Sequence, residues 1–137
     1  MDKDVILNKL DSLFRCVARI EEKSPETLEV LNSDYDVQDI IVLNLERAIQ
    51  TCVDIGLHII SSQNIPAPDS MKNTFYALEQ IGYINGHTAK RMAKAVGFRN
   101  TAVHAYQEID WDIVFAIITS HLDDFRDFAR EIGEHLN

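Results

Sequence analysis

Between Ser33 and Ser61 the chain has little choice but to form one long, largely buried helix. Ile41, Leu45, Ala48, Cys52, Ile55 and Ile59 recur at steps of three and four, and Val42, Ile49, Val53 and Ile60 make a second stripe beside them. A helix apolar on so much of its girth belongs at the centre of a bundle or in a subunit contact. Ser33-Asp34-Tyr35-Asp36 precedes it as an N-terminal cap, with acids placed favourably against the helix dipole. Asp39, Glu46, Asp54 and His58 interrupt the stripes with polar groups whose roles the spacing leaves open. Asp54 and His58 lie one turn apart, so they could pair on the helix surface or, with help, hold a metal. No second His/Asp pair stands at ligand spacing, which favours the surface pair and predicts no metal site.

The other segments keep the same period. Residues 4–22 carry Ile6, Leu10, Leu13, Val17 and Ile20 on one face. Ser24-Pro25 predicts a stop and then a short helix, with Ser24 as cap and Pro25 in the first position, running to about Leu31. Residues 61–69 form the one clear loop, after which Asp69 or Ser70 caps a helix with Met71, Phe75, Leu78 and Ile81 inward. Asn85-Gly86 predicts a turn, His87 to Val96 a helix, and Gly97 its C-terminal stop. Asp110 then caps a last helix whose face runs from Trp111 through Val114, Ile118, Leu122, Phe125, Ala129 and Ile132 to Leu136. No segment alternates with a strand's period. The prediction is an all-α fold, a four-helix-bundle core with short additional helices, forming one domain over residues 1–137.

With 137 residues, such a domain can bury a core without disulfide or metal staples. No apolar run approaches a membrane span, and Met-Asp-Lys-Asp lacks a signal-peptide pattern. Cys16 and Cys52 fall on apolar helix faces with no CxxC, which predicts reduced thiols and an intracellular, cytoplasmic location. A net charge of −9 argues against nonspecific coating of nucleic acid. Yet between Gln80 and Gln107 there is no Asp or Glu, while Lys90, Arg91, Lys94 and Arg99 give that stretch a basic character. A polyanion engaging this chain would be expected there.

Within that island, Arg99, Asn100, His104 and Tyr106 stand close together. A guanidinium can hold a phosphate and stabilise charge growing on its oxygens, while imidazole moves protons near neutral pH. Together they suit phosphodiester cleavage; the competing reading is a capped helix terminus. Were this stretch a regular helix, Arg99 and His104 would point about 140° apart, whereas Asn100 and His104 would share a face. The backbone there must then be irregular, or a second copy of the chain must complete the site.

Arg99-Asn100-x-x-x-His104-x-Tyr106 in the latter part of a small all-helical chain resembles the HEPN superfamily. The His-x-Tyr extension resembles its HepT-type toxins, which are paired with minimal nucleotidyltransferases of the MntA type. The resemblance covers nearly the whole chain. It implies the toxin of a type VII-like toxin–antitoxin pair: a metal-independent, cofactor-free ribonuclease acting as a homodimer with the site in the dimer cleft. Arg99 would bind the scissile phosphate, His104 would act as general acid or base, and Asn100 would orient one of them. RNA supplies its own 2′-hydroxyl nucleophile, so no metal cluster is required. The partners implied are RNA and the MntA-type antitoxin, in a homodimer that could enter a larger hetero-oligomer. Tyr106 would accept AMP from that antitoxin, adding bulk and negative charge beside Arg99; the alternative is a tyrosine packed on the bundle.

Lys90, Arg91 and Lys94 are expected either as RNA-backbone contacts or as a solvated helix face. Tyr35, Tyr76 and Tyr83 are expected to be packing residues. His87, His121 and His135 read as surface or dimer contacts, and Asp123 to Glu134 as a solvated face. The rival function is a noncatalytic helical subunit that binds nucleotide or a nucleotidyltransferase, with Arg99 and His104 holding phosphate. A third is an antitoxin-like role restraining an enzymatic partner.

Overall fold

Six short polar side chains divide the chain into helices. Asp2, Thr27, Asp34, Ser70, Asn85 and Asp110 each accept a hydrogen bond from a backbone N–H two or three residues downstream, satisfying donors that the first helical turn leaves free. The computed structural model describes residues 1–136. Helices α1 (Lys3–Lys23), α2 (Leu28–Ser33), α3 (Tyr35–Ser61), α4 (Met71–Gln80), α5 (Gly86–His104), α6 (Trp111–Ser120) and α7 (Asp123–Gly133) follow, with a 3₁₀ turn at Tyr106–Glu108. No strand occurs among the described residues, so the predicted all-α class is observed.

Helix α3 is the axis. Ile41, Leu45, Ala48, Cys52, Ile55 and Ile59 are fully buried, and α1, α4, α5 and α7 all pack against it. The α1–α3 pair is the most extensive, and the Asp2 N–H donating to His58 Nε2 at 3.1 Å shows that the two run antiparallel. Gly56 brings α4 close: a Cβ there would lie 2.6 Å from Thr74 Cγ2 and 3.0 Å from Leu78 Cδ1. Phe75 of α4 meets Phe128 of α7 edge to face, centroids 5.7 Å apart. No helix is long and apolar enough to cross a membrane among the described residues.

Several local expectations are corrected. Ser24 closes α1 rather than opening α2: its hydroxyl donates to Ile20 O at 2.6 Å, and the cap of α2 passes to Thr27, whose backbone is extended. The carboxylate of Asp54 accepts from Gln50 Nε2 at 2.9 Å while His58 accepts from the Asp2 N–H, so these two do not pair. The last helix is two, broken at His121-Leu122. Its apolar stripe survives the break because Leu122 stays buried, and for that reason periodicity alone reads one helix. Nor is α7 simply solvated. Phe125, Phe128 and Ile132 are core residues, and buried Glu131 accepts from Asn85 N at 2.7 Å and from the Thr88 hydroxyl, clasping the start of α5.

Helix α5 does not stop at Gly97. It runs unbroken to His104, because buried Val96 and Ala102 on either side of the glycine hold both halves against the core. Gly97 has no positive φ, and a Cβ there would meet nothing nearer than Lys72 Nζ at 3.9 Å.

Candidate active site

The motif therefore sits on the last turn and a half of a regular helix. Arg99 is half-buried, Asn100 and His104 are exposed, and Arg99 Nη1 donates weakly to Asn100 Oδ1 at 3.4 Å. Helical geometry sends Arg99 and His104 about 140° apart, and no bond joins them in the described chain. Of the two alternatives raised by the sequence, the irregular backbone is excluded. A single copy presents the two groups on different faces.

Past His104 the chain turns sharply. The Ala105 N–H donates to Thr101 O at 2.8 Å, ending α5, and the 3₁₀ turn swings Tyr106 onto α3. There its hydroxyl donates to Asp39 Oδ1 at 2.6 Å, across 67 residues of sequence. Trp111 braces the ring at 6.2 Å in an edge-on arrangement. Partial burial, the hydrogen bond to Asp39 and the charges of Asp39 and Glu46 push the phenol well above its ordinary value of 10.0. Tyr106 thus stays a neutral donor while remaining 39% exposed, within reach of another molecule.

Asp39 and Glu46, whose roles spacing left open, are the carboxylates that act on the Tyr106 phenol. They interrupt an apolar helix, which was a signal, but their partner was invisible at that separation. Of the other tyrosines, Tyr83 packs as expected, against the core and stacked on His135 at 4.2 Å, whereas Tyr35 and Tyr76 are exposed. No other tyrosine hydroxyl is hydrogen-bonded among the described residues. His121 lies 3.6 Å from Asp124.

The basic island is not one surface. Arg91 is tied to Asp124 at 3.1 Å and Asp127 at 3.9 Å, so α7 neutralises it. Lys90 and Lys94 are exposed without a carboxylate partner among the described residues. On the continuous helix they share a side with His104, while Arg99 projects about 180° from Lys90.

Residues 13–132 match the family model "Ribonuclease HepT-like". The chain belongs to the HepT-like ribonuclease family. It is 37% identical over 125 residues to the mRNA nuclease HepT of Shewanella oneidensis, covering 91% of this chain and 93% of that protein. It is 26% identical over 132 residues to the tRNA nuclease HepT of Aphanizomenon flos-aquae, covering 96% and 90%. Its fold superposes with a TM-score of 0.91, at 36% identity, on the tri-AMPylated HEPN toxin of Shewanella oneidensis in complex with MNT antitoxin, covering 98% of this chain and all of that one. The family anticipated from Arg99, Asn100, His104 and Tyr106 is therefore the family found.

Proposed function

We propose that this HepT-like chain, a single domain over residues 1–137, is a cytoplasmic ribonuclease toxin that cleaves RNA without metal and is silenced by AMPylation of Tyr106. The observation that carries this reading is the exposed end of α5, where Arg99 and Asn100 lie one turn before His104 and Tyr106 follows just past the helix end. The guanidinium is placed to hold a phosphodiester, and the imidazole to exchange a proton with the ribose 2′-oxygen or the leaving 5′-oxygen. Asn100 accepts from Arg99 and shares the face of His104, so it can orient either group. Because Arg99 and His104 diverge, the site is completed by a second copy across a two-fold axis. Lys90 and Lys94 extend the path for the RNA backbone; Arg91, already ion-paired, contributes less.

Silencing follows from the same geometry. The nucleotidyltransferase antitoxin, of the MNT type found with the Shewanella relative, adds AMP to the exposed phenol. Each unit replaces a neutral donor with an anionic phosphodiester two residues from His104, where it obstructs an RNA phosphate.

Arg99→Ala and His104→Ala should each abolish growth inhibition and lower RNA cleavage by about 10²–10⁴-fold, with the helical circular dichroism unchanged. The wild-type chain should cleave RNA in excess EDTA. Retained toxicity in both variants, or strict dependence on added metal, refutes the mechanism; inertness of the isolated chain would favour a binding subunit instead.

A further inference from the structure

Among the described residues, Tyr106 is the one tyrosine whose hydroxyl donates to a carboxylate, and that carboxylate has no other side-chain partner. Asp39 lies exposed on the second turn of α3, and its only described side-chain partner is the Tyr106 hydroxyl, 2.6 Å away. Glu46, two turns further along nearly the same face of α3, adds negative charge toward the phenol. The ring is braced by Trp111 and remains partly exposed to solvent. A hydroxyl so held presents its proton to Asp39 and keeps an oxygen lone pair for an incoming electrophile. That is the geometry of a nucleophile with its base, and the base comes from the chain being modified.

We propose that Asp39 is the general base for nucleotidyl transfer onto Tyr106. The Tyr106 oxygen attacks the α-phosphorus of a nucleoside triphosphate carried by the nucleotidyltransferase partner, and the phenolic proton passes to Asp39. The bond from the α-phosphorus to the β-phosphate bridging oxygen breaks, and pyrophosphate leaves with the electron pair. The products are a tyrosyl nucleoside monophosphate diester and pyrophosphate, and Asp39 then releases its proton to water. The surrounding carboxylates disfavour a preformed phenolate, so the proton has to leave during the transfer rather than before it. Once the first unit is attached the phenol is consumed. Any further unit is added to a nucleotide hydroxyl, beyond the reach of Asp39.

This inference rests on Tyr106 being the acceptor, and the test separates the two. The full-length chain is incubated with its purified nucleotidyltransferase partner and Mg-ATP, and intact mass is followed with time. Asp39→Asn keeps an oxygen that can accept from the phenol but cannot take its proton. Its first addition should slow by about 100-fold or more in kcat, with KM for the chain unchanged. Asp39→Glu should recover part of the rate, and a second addition, once the first is present, should proceed as in the wild type. An Asp39→Asn chain modified at the wild-type rate overturns the proposal. So does a defect confined to KM, which would make Asp39 an anchor only. If instead Tyr106→Phe is modified as fast as the wild type, the acceptor assignment itself fails and the proposal falls with it.

Discussion

Replacing Gly97 with alanine has opposite signs under the two descriptions of α5, so its stability effect decides between them. A glycine that ends a helix does so in the left-handed region, where a Cβ is strained, and alanine there would cost about 1 kcal/mol or more. The structure instead places Gly97 inside a continuous helix, and among the described residues Gly82 is the one positive-φ glycine. Alanine in a helix interior is favoured over glycine by about 0.8–1.0 kcal/mol. The added methyl has room, since its nearest neighbour is the flexible end of Lys72 at 3.9 Å. The expected outcome is stabilisation by about 0.5–1 kcal/mol. With an unfolding entropy of about 2 cal/mol/K per residue, that corresponds to a Tm rise of roughly 2–4 °C.

Thermal melts followed by circular dichroism would measure this, paired with guanidinium titrations in which the midpoint rises at constant m. RNA cleavage should be undiminished, because the divergence of Arg99 and His104 is set by the helix that alanine reinforces. A lowered Tm would refute the continuous helix. The 140° separation, and the need for a second copy, would then lose their footing.

Gly56→Ala should go the other way: its methyl would press on Thr74 and Leu78 where α4 crosses α3, and overpacking of this kind costs about 1–3 kcal/mol, read as a lower denaturant midpoint. Glu131→Ala should cost about 3 kcal/mol, because it leaves the Asn85 N–H and the Thr88 hydroxyl without their carboxylate; a Tm within a degree of the wild type would show that the clasp contributes nothing. Absorbance titration at 295 nm should show one tyrosine ionising well above the usual phenol range, lost in Tyr106→Phe and moved down in Asp39→Asn. Since that folded-state value is raised, the associated stability is present below pH 10 and drains away as the pH climbs further, so alkaline unfolding should be milder in Tyr106→Phe.

Much of this fold could be read directly from the residues because caps and stripes are local. Asp34, Ser70 and Asp110 announce helix starts through a bond three or fewer residues long, and the buried positions of α3 follow from period alone. What failed to show was decided elsewhere in the molecule. Gly97 carries the same letter whether it ends a helix or lies within one, and the choice was made by Val96 and Ala102 packing on the core. Arg91 looked like a free cation until α7 brought Asp124 and Asp127 to it. Arg99, Asn100, His104 and Tyr106 stand out together in the sequence, yet Asp39 could not be joined to Tyr106 across 67 residues by any rule of spacing. Local sequence supplied the side chains, and tertiary packing supplied what each one touches.

The divergence of Arg99 and His104 leads to one more test. If a phosphate is gripped by Arg99 of one protomer and His104 of its partner, each dimer holds two composite sites. Mixing and refolding equal amounts of Arg99→Ala and His104→Ala chains then makes about half of the dimers mixed. In each mixed dimer one site carries both lesions and the other carries neither. Half the dimers with half their sites intact should restore about a quarter of wild-type cleavage from two chains that are each inert. Were Arg99 instead to curl round to its own His104, every site in the mixture would contain one lesion and no activity would return. The recovered fraction thus reports which chain supplies the imidazole.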